Sequence, residues 1–98
     1  MLQEFFSIVE YLIEKVKIED DRIIISNKTL YKFLDRNLYI KRNEKLKTYK
    51  MLNMIICNAN SFSSVVYDKT TKKTKRMIVI NLGAYKVLKD FYETNIKD

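Results

Sequence analysis

The sequence contains no histidine, no proline and no tryptophan, and has one cysteine and one glycine. Without histidine the chain lacks the side chain most used as a general base and as a metal ligand. Cys57 alone closes no internal disulfide and builds no thiolate metal site; as a follower of Ile55 and Ile56 it reads as a small buried hydrophobe. Gly83 alone makes no glycine-rich phosphate loop. Long apolar runs are also missing. The richest, residues 51–57, is broken by Asn53 and falls far short of the ~20 residues of a membrane-spanning helix. The opening Met1-Leu2-Gln3-Glu4 is acidic rather than basic and leads to no cleavage-type tail, so no secretory leader is expected. These absences point to a cytoplasmic protein without a cofactor, without a membrane partner and without catalysis.

What is present is apolar matter and positive charge. Hydrophobic residues make up 47% of the 98, enough for one small domain with a core of its own. Nineteen Lys and Arg face twelve Asp and Glu, a formal charge of +7. The excess is not spread evenly: residues 27–82 carry a net +10, while the two ends together carry −3. A localised basic surface attracts polyanions and steers their approach, and solubility alone asks for no such segregation.

Residues 2–17 repeat apolar side chains at Leu2, Phe5, Phe6, Val9, Leu12, Ile13 and Val16, the spacing of an amphipathic helix. The acids Glu19, Asp20 and Asp21 end it, and residues 22–26 (RIIIS) read as a short strand. Ser26 or Asn27 can cap a second helix running to about Arg36, with Leu30, Phe33 and Leu34 inward. Asn37 is expected in the left-handed conformation that ends a helix without glycine. After a turn at residues 38–40, a third helix is expected from Lys41 or Asn43 to Cys57. Its wheel puts Leu46, Tyr49, Leu52 and Ile56 on one side, and Asn43, Lys47, Lys50 and Met54 on another. Two strand-like runs, residues 62–68 and 76–82, flank a polar loop, and Gly83 is expected to stop the second. A last helix, residues 84–96, carries Tyr85, Leu88, Phe91 and Tyr92.

Helix, short strand, helix, turn, helix, β-hairpin, helix is the order of winged helix-turn-helix proteins. The chain resembles the small DNA-binding members of that family found among transcription regulators and in archaeal viruses and plasmids. The resemblance covers nearly the whole chain and is carried by pattern, with residues 28–56 (KTLYKFLDRNLYIKRNEKLKTYKMLNMII) as the helix-turn-helix. The motif's first helix has no small residue, and Asn37 stands where a turn glycine is common. The resemblance implies an α+β winged-helix domain over residues 1–98 that binds double-stranded DNA. Its third helix would enter the major groove with Asn43, Lys47 and Lys50, and Lys41, Arg42 and Lys45 at its start would meet phosphate. The hairpin would be the wing, with Lys69, Lys72, Lys73, Lys75 and Arg76 clustered at its tip for backbone or minor-groove contact.

Two further features bear on partners. Phe5, Phe6, Phe91 and Tyr92 give the terminal helices broad apolar faces, which suggests a homodimer presenting two recognition helices, or else helices that simply close the core. Seven tyrosines mostly fall at apolar positions and read as packing residues, while Tyr31 and Tyr39, near basic residues, could stack on bases or hydrogen-bond phosphate. The expected function is transcriptional regulation. A mobile-element protein that binds a host protein or nucleoprotein complex, such as a defence inhibitor, is the alternative. A small nuclease using Asp20 and Asp21 is a weaker third reading, since three adjacent acids point apart.

Overall fold

Phe5, Phe6, Ile8, Val9 and Leu12 run down one side of the first helix, α1 (Leu2–Lys15), and are buried along it. The structure, a computed structural model, describes residues 2–37, 39–58 and 61–95. Beyond α1 the chain reverses in a tight turn. Glu19 and Arg22 exchange both backbone hydrogen bonds (3.2 and 2.9 Å), with Asp20 (φ 52°) and Asp21 (φ 58°) at the two central positions. Positive φ at both is the signature of a type I′ turn, whose twist matches that of the strand it launches. That strand, β1 (Arg22–Ile25), buries Ile23 and Ile25 and turns Arg22 and Ile24 outward.

Ser26 caps α2 (Asn27–Leu34) as its sequence implies, its Oγ accepting from the Thr29 amide at 3.2 Å. Leu30 and Leu34 are fully buried; Phe33 is half-buried under the edge of Tyr11. The helix stops at Leu34, short of Arg36, with Asp35 still right-handed (φ −81°). Asn37 does not adopt the left-handed conformation expected of it. Its side-chain oxygen accepts from the Tyr39 amide at 3.0 Å, so it builds the turn through the side chain instead. Leu38, part of the expected turn, lies outside the described residues.

The third helix, α3 (Arg42–Met51), ends well before Cys57. Asn53 takes the left-handed conformation (φ 60°) and closes the helix with the paired bonds of a Schellman motif. The Asn53 amide donates to the Lys50 carbonyl (3.0 Å) and the Met54 amide to the Tyr49 carbonyl (2.9 Å). Met54 is thereby taken out of the expected exposed face and buried, and Ile55–Ile56 becomes a strand, β2. The hairpin follows as β3 (Ser64–Asp68) and β4 (Lys73–Asn81). The Asp68 carboxylate accepts from the Thr70 amide (2.9 Å), and Lys72, left-handed at φ 57°, donates its amide to the Asp68 carbonyl (2.8 Å). The loop is thus only residues 69–72, and Lys73 and Lys75 are strand residues rather than loop ones, joining Arg76 in β4. Gly83 is not a strand terminator: it lies in the first turn of α4 (Leu82–Asn95), where the Asn81 side chain accepts from the Ala84 amide at 3.2 Å.

The sheet is antiparallel throughout and β4 is its axis. The inner end of β4 pairs with β1 on one side (Ile23↔Ile80, Ile25↔Ile78) and with β2 on the other (Ile55↔Ile80). Its outer end pairs with β3 (Val65↔Arg76, Tyr67↔Thr74). Ile23, Ile25, Ile55, Ile78 and Ile80 point together into one core cluster with residues of all four helices. The described residues therefore form a mixed α+β fold of four helices and a four-stranded antiparallel sheet.

The terminal helices spend most of their apolar faces on this core. Phe5 and Phe6 are buried, and Phe6 meets Tyr85 and Tyr92 edge-on at 5.7 and 5.9 Å. Gln3 bonds to the Tyr92 hydroxyl, and Lys89 of α4 pairs with Glu10 of α1. On α4, Val87 and Phe91 remain outside, 70% and 59% exposed. No helix among the described residues is long and apolar enough to cross a membrane.

Candidate nucleic-acid interface

The cations of α3 divide into three groups by environment. Lys47 and the capping Lys41 stand in solvent on the outer side of the helix with the neutral Asn43, beside Glu44 and Met51. Arg42 and Lys50 lie half-buried and are engaged. Arg42 pairs with Asp35 at 2.8 Å and stacks over the Tyr31 ring at 4.1 Å, so it joins the end of α2 to the start of α3. Its Nε is buried without a hydrogen-bond partner. Lys50 donates to the carbonyls of Asn58 (2.8 Å) and Ser61 (3.0 Å) and lies over Phe62. Tyr31, a candidate for base stacking, thus has one ring face occupied by Arg42, whereas Tyr39 is almost wholly exposed.

Lys45 corrects the sequence reading. It was expected at phosphate, yet it is 2% exposed. Its ammonium donates to Glu4 Oε1 (2.8 Å), to the Leu34 carbonyl (2.8 Å) and to the Asn37 carbonyl (2.6 Å). All three of its donors are used, and an unmatched charge at this depth would be costly. Lys45 therefore pins α1 and the end of α2 to α3 and has no donor left for a ligand. Beside it, Tyr49 packs on Phe5 with centroids 4.2 Å apart. Burial, reinforced by the nearby Glu4 charge, pushes the Tyr49 hydroxyl well above the usual tyrosine range, so it stays neutral.

The hairpin shows a similar division. Lys69 and Lys72 lie in the turn, Lys73 and Lys75 on one face of β4, all exposed. Arg76, also exposed, lies on the opposite face and reaches along it to the base of the hairpin. It donates to Ser61 Oγ (2.8 Å), Ser63 Oγ (3.1 Å) and the Ser63 carbonyl (3.4 Å). Lys50 and Arg76 thus meet on Ser61 and tie the end of α3 to the base of the hairpin. Among the described residues, Lys41, Lys47, Lys69, Lys72, Lys73 and Lys75 take part in no ion pair. Asp68, the one acid of the hairpin, is held below the usual carboxylate range, first by the Thr70 amide and then by hydrogen bonds from Thr71 and the charge of Lys75.

Val65 and Tyr67 are a feature that composition did not single out. Each is 57% exposed, on the hairpin face that also carries Thr74 and Arg76. Strand alternation was the available signal, but it needed the register of β3 against β4 to say which face these side chains share. The acids of the 19–21 turn have structural employment: Asp21 pairs with Lys86 at 3.2 Å and its carbonyl accepts from the Leu82 amide. Among the described residues no three acids or thiols gather as a metal site. Cys57 is half-buried and packs against the core rather than inside it. Compared with known protein families, the chain matches none of their models, and no curated protein is significantly similar to it.

Proposed function

We propose that the protein is a winged helix-turn-helix DNA-binding protein, a non-enzymatic transcriptional regulator that docks α3 in the major groove and the β3–β4 hairpin on the backbone or in the minor groove. The observation that carries this reading is the joint at Ser61. It holds together two elements that each carry cations outside any ion pair, α3 with Lys47 and its cap Lys41, and the hairpin with Lys69 and Lys72 in its turn and Lys73 and Lys75 on its reverse face. A helix and a ribbon that carry cations side by side can straddle a phosphate backbone. Helices on one face of a sheet ordered β1-β4-β2, with β3 extending the hairpin, support the same reading.

In this arrangement Asn43 and Lys47 reach base edges, since asparagine matches adenine and lysine matches guanine. Lys41 and the four hairpin lysines contact phosphate. Arg42, Lys50 and Arg76 position the two elements, and Lys45 leaves the contact set. Val87 and Phe91 on α4 are the apolar surface from which a two-fold homodimer would be built. The protein works in the cytoplasm, that of a host if the chain is viral.

The test is fluorescence anisotropy with a labelled duplex taken from upstream of its own gene, titrated with salt. Each phosphate contact contributes about 0.9 to the slope of log affinity against log salt. Lys72→Ala with Lys73→Ala is expected to lower that slope by roughly 1.8. Salt-insensitive binding, or stoichiometric capture of an acidic host protein with no duplex affinity, would overturn the reading.

A further inference from the structure

The register of the hairpin sorts its side chains into two unlike faces. Lys73, Lys75, Val66 and Asp68 share one; Val65, Tyr67, Thr74 and Arg76 share the other. Alternation along β4 places this second face on the same side of the sheet as Ile78 and Ile80, the side on which α3 packs. Arg76, its only cation, is drawn to Ser61 and Ser63. The part of the hairpin turned toward the α3 side is therefore not a row of lysines. It is an aromatic ring and a valine, both more than half exposed, with cations in the turn beyond and on the reverse face.

Strand propensity does not require this pair, because threonine serves an exposed strand position equally well, as Thr74 does on the same face. An antiparallel ribbon with both sides in water ordinarily keeps polar groups there. An exposed ring flanked by cations matches a nucleic-acid base: the ring stacks, and the lysines follow the backbone on either side. In a regular duplex the base faces are covered by their neighbours. They become available where a step is unstacked, at a bulge or mismatch, or at an easily opened pyrimidine–purine step.

Resting on the DNA-binding reading above, we infer that Tyr67, backed by Val65, stacks on a base at an unstacked or kinked step, so that the preferred ligand is a deformed rather than a regular duplex. Phenylalanine retains the stacking surface and alanine removes it.

The experiment compares two fluorescein-labelled duplexes of the same sequence, one fully paired and one with a central bulge, against wild type, Tyr67→Ala and Tyr67→Phe. Wild type is expected to bind the bulged duplex more tightly by roughly tenfold, the scale of one base–aromatic stack. Tyr67→Ala should erase that preference while keeping the affinity and salt slope for the paired duplex, and Tyr67→Phe should retain it. Tyr67 is exposed, so circular dichroism of Tyr67→Ala should match wild type. Salt-dependent binding with no preference for the bulge, or a preference that survives Tyr67→Ala, overturns this inference and leaves the DNA-binding reading standing. Absence of binding to either duplex overturns both.

Discussion

Asp20 and Asp21 occupy the two turn positions where asparagine and glycine are favoured, because both φ values are positive there. An L-residue with a side chain pays for the left-handed region, aspartate less than most. The Asp21–Lys86 pair offsets little of this, since both side chains are 62% exposed and screened by solvent. Asp20→Asn combined with Asp21→Gly is expected to stabilise the fold by about 1 kcal/mol, raising Tm by about 4–8 °C in a thermal unfolding experiment. A fall in Tm would mean that the Asp21 carboxylate matters more than its backbone. At this scale the sequence was partly legible. Ser26 as a cap could be read from its type, whereas Asn53 rather than Asn37 proved the left-handed asparagine. Both are polar, turn-forming residues near a helix end. What separates them is that Met54, just after Asn53, can bury itself against the core, and that contact completes the motif.

At the scale of elements, α3 shows where a pattern was readable and where it was overlooked. On its wheel Lys45 falls between Leu52 and Tyr49, inside the apolar arc, while Asn43 and Lys47 lie opposite. The spacing already contained the burial of Lys45; its charge obscured it. Lys45→Ala would leave the Leu34 and Asn37 carbonyls without their donor and Glu4 without its partner. Because Glu4 is still 24% exposed, the loss should be about 2–4 kcal/mol, toward the lower end of what a broken buried pair costs. Lys47→Ala on the exposed side should change stability by less than about 0.5 kcal/mol. Urea denaturation of the two variants separates them, and equal effects would refute a structural role for Lys45. The end of α3 was less accessible. Ile55 and Ile56 continue an apolar run that suits helix or strand, and their partners Ile80 and Val79 lie far along the chain. Tertiary pairing decides such a segment, and local periodicity does not record it.

At the scale of the whole molecule, the 49 Å length against 27 and 25 Å across reflects two unlike halves. The radius of gyration, 13.7 Å, is slightly above the ~13 Å of a rounded domain of this size. One half is the packed body, where β4 is flanked on both sides by β1 and β2 and where Ile23, Ile78 and Ile80 are fully buried. The other is the outer hairpin, where β3 and the start of β4 pair with each other and Val65 and Tyr67 face water. A two-stranded ribbon is only marginally stable in water on its own. Its bracing is the Arg76–Ser61–Lys50 joint at the base. Hydrogen exchange should therefore resolve two stability classes. Amides of Ile78 and Ile80 should exchange through global unfolding, with a steep dependence on urea. Those of Val66 and Lys75 should exchange through local opening, far faster and nearly independent of urea. Arg76→Ala should speed the hairpin amides further while leaving those of the body unchanged, because its partners lie at the joint and not in the core. If hairpin and body exchanged together at every urea concentration, the hairpin would be an integral part of the core. The proposed use of Tyr67 would then have to accommodate a rigid ribbon, with the deformation falling wholly on the DNA.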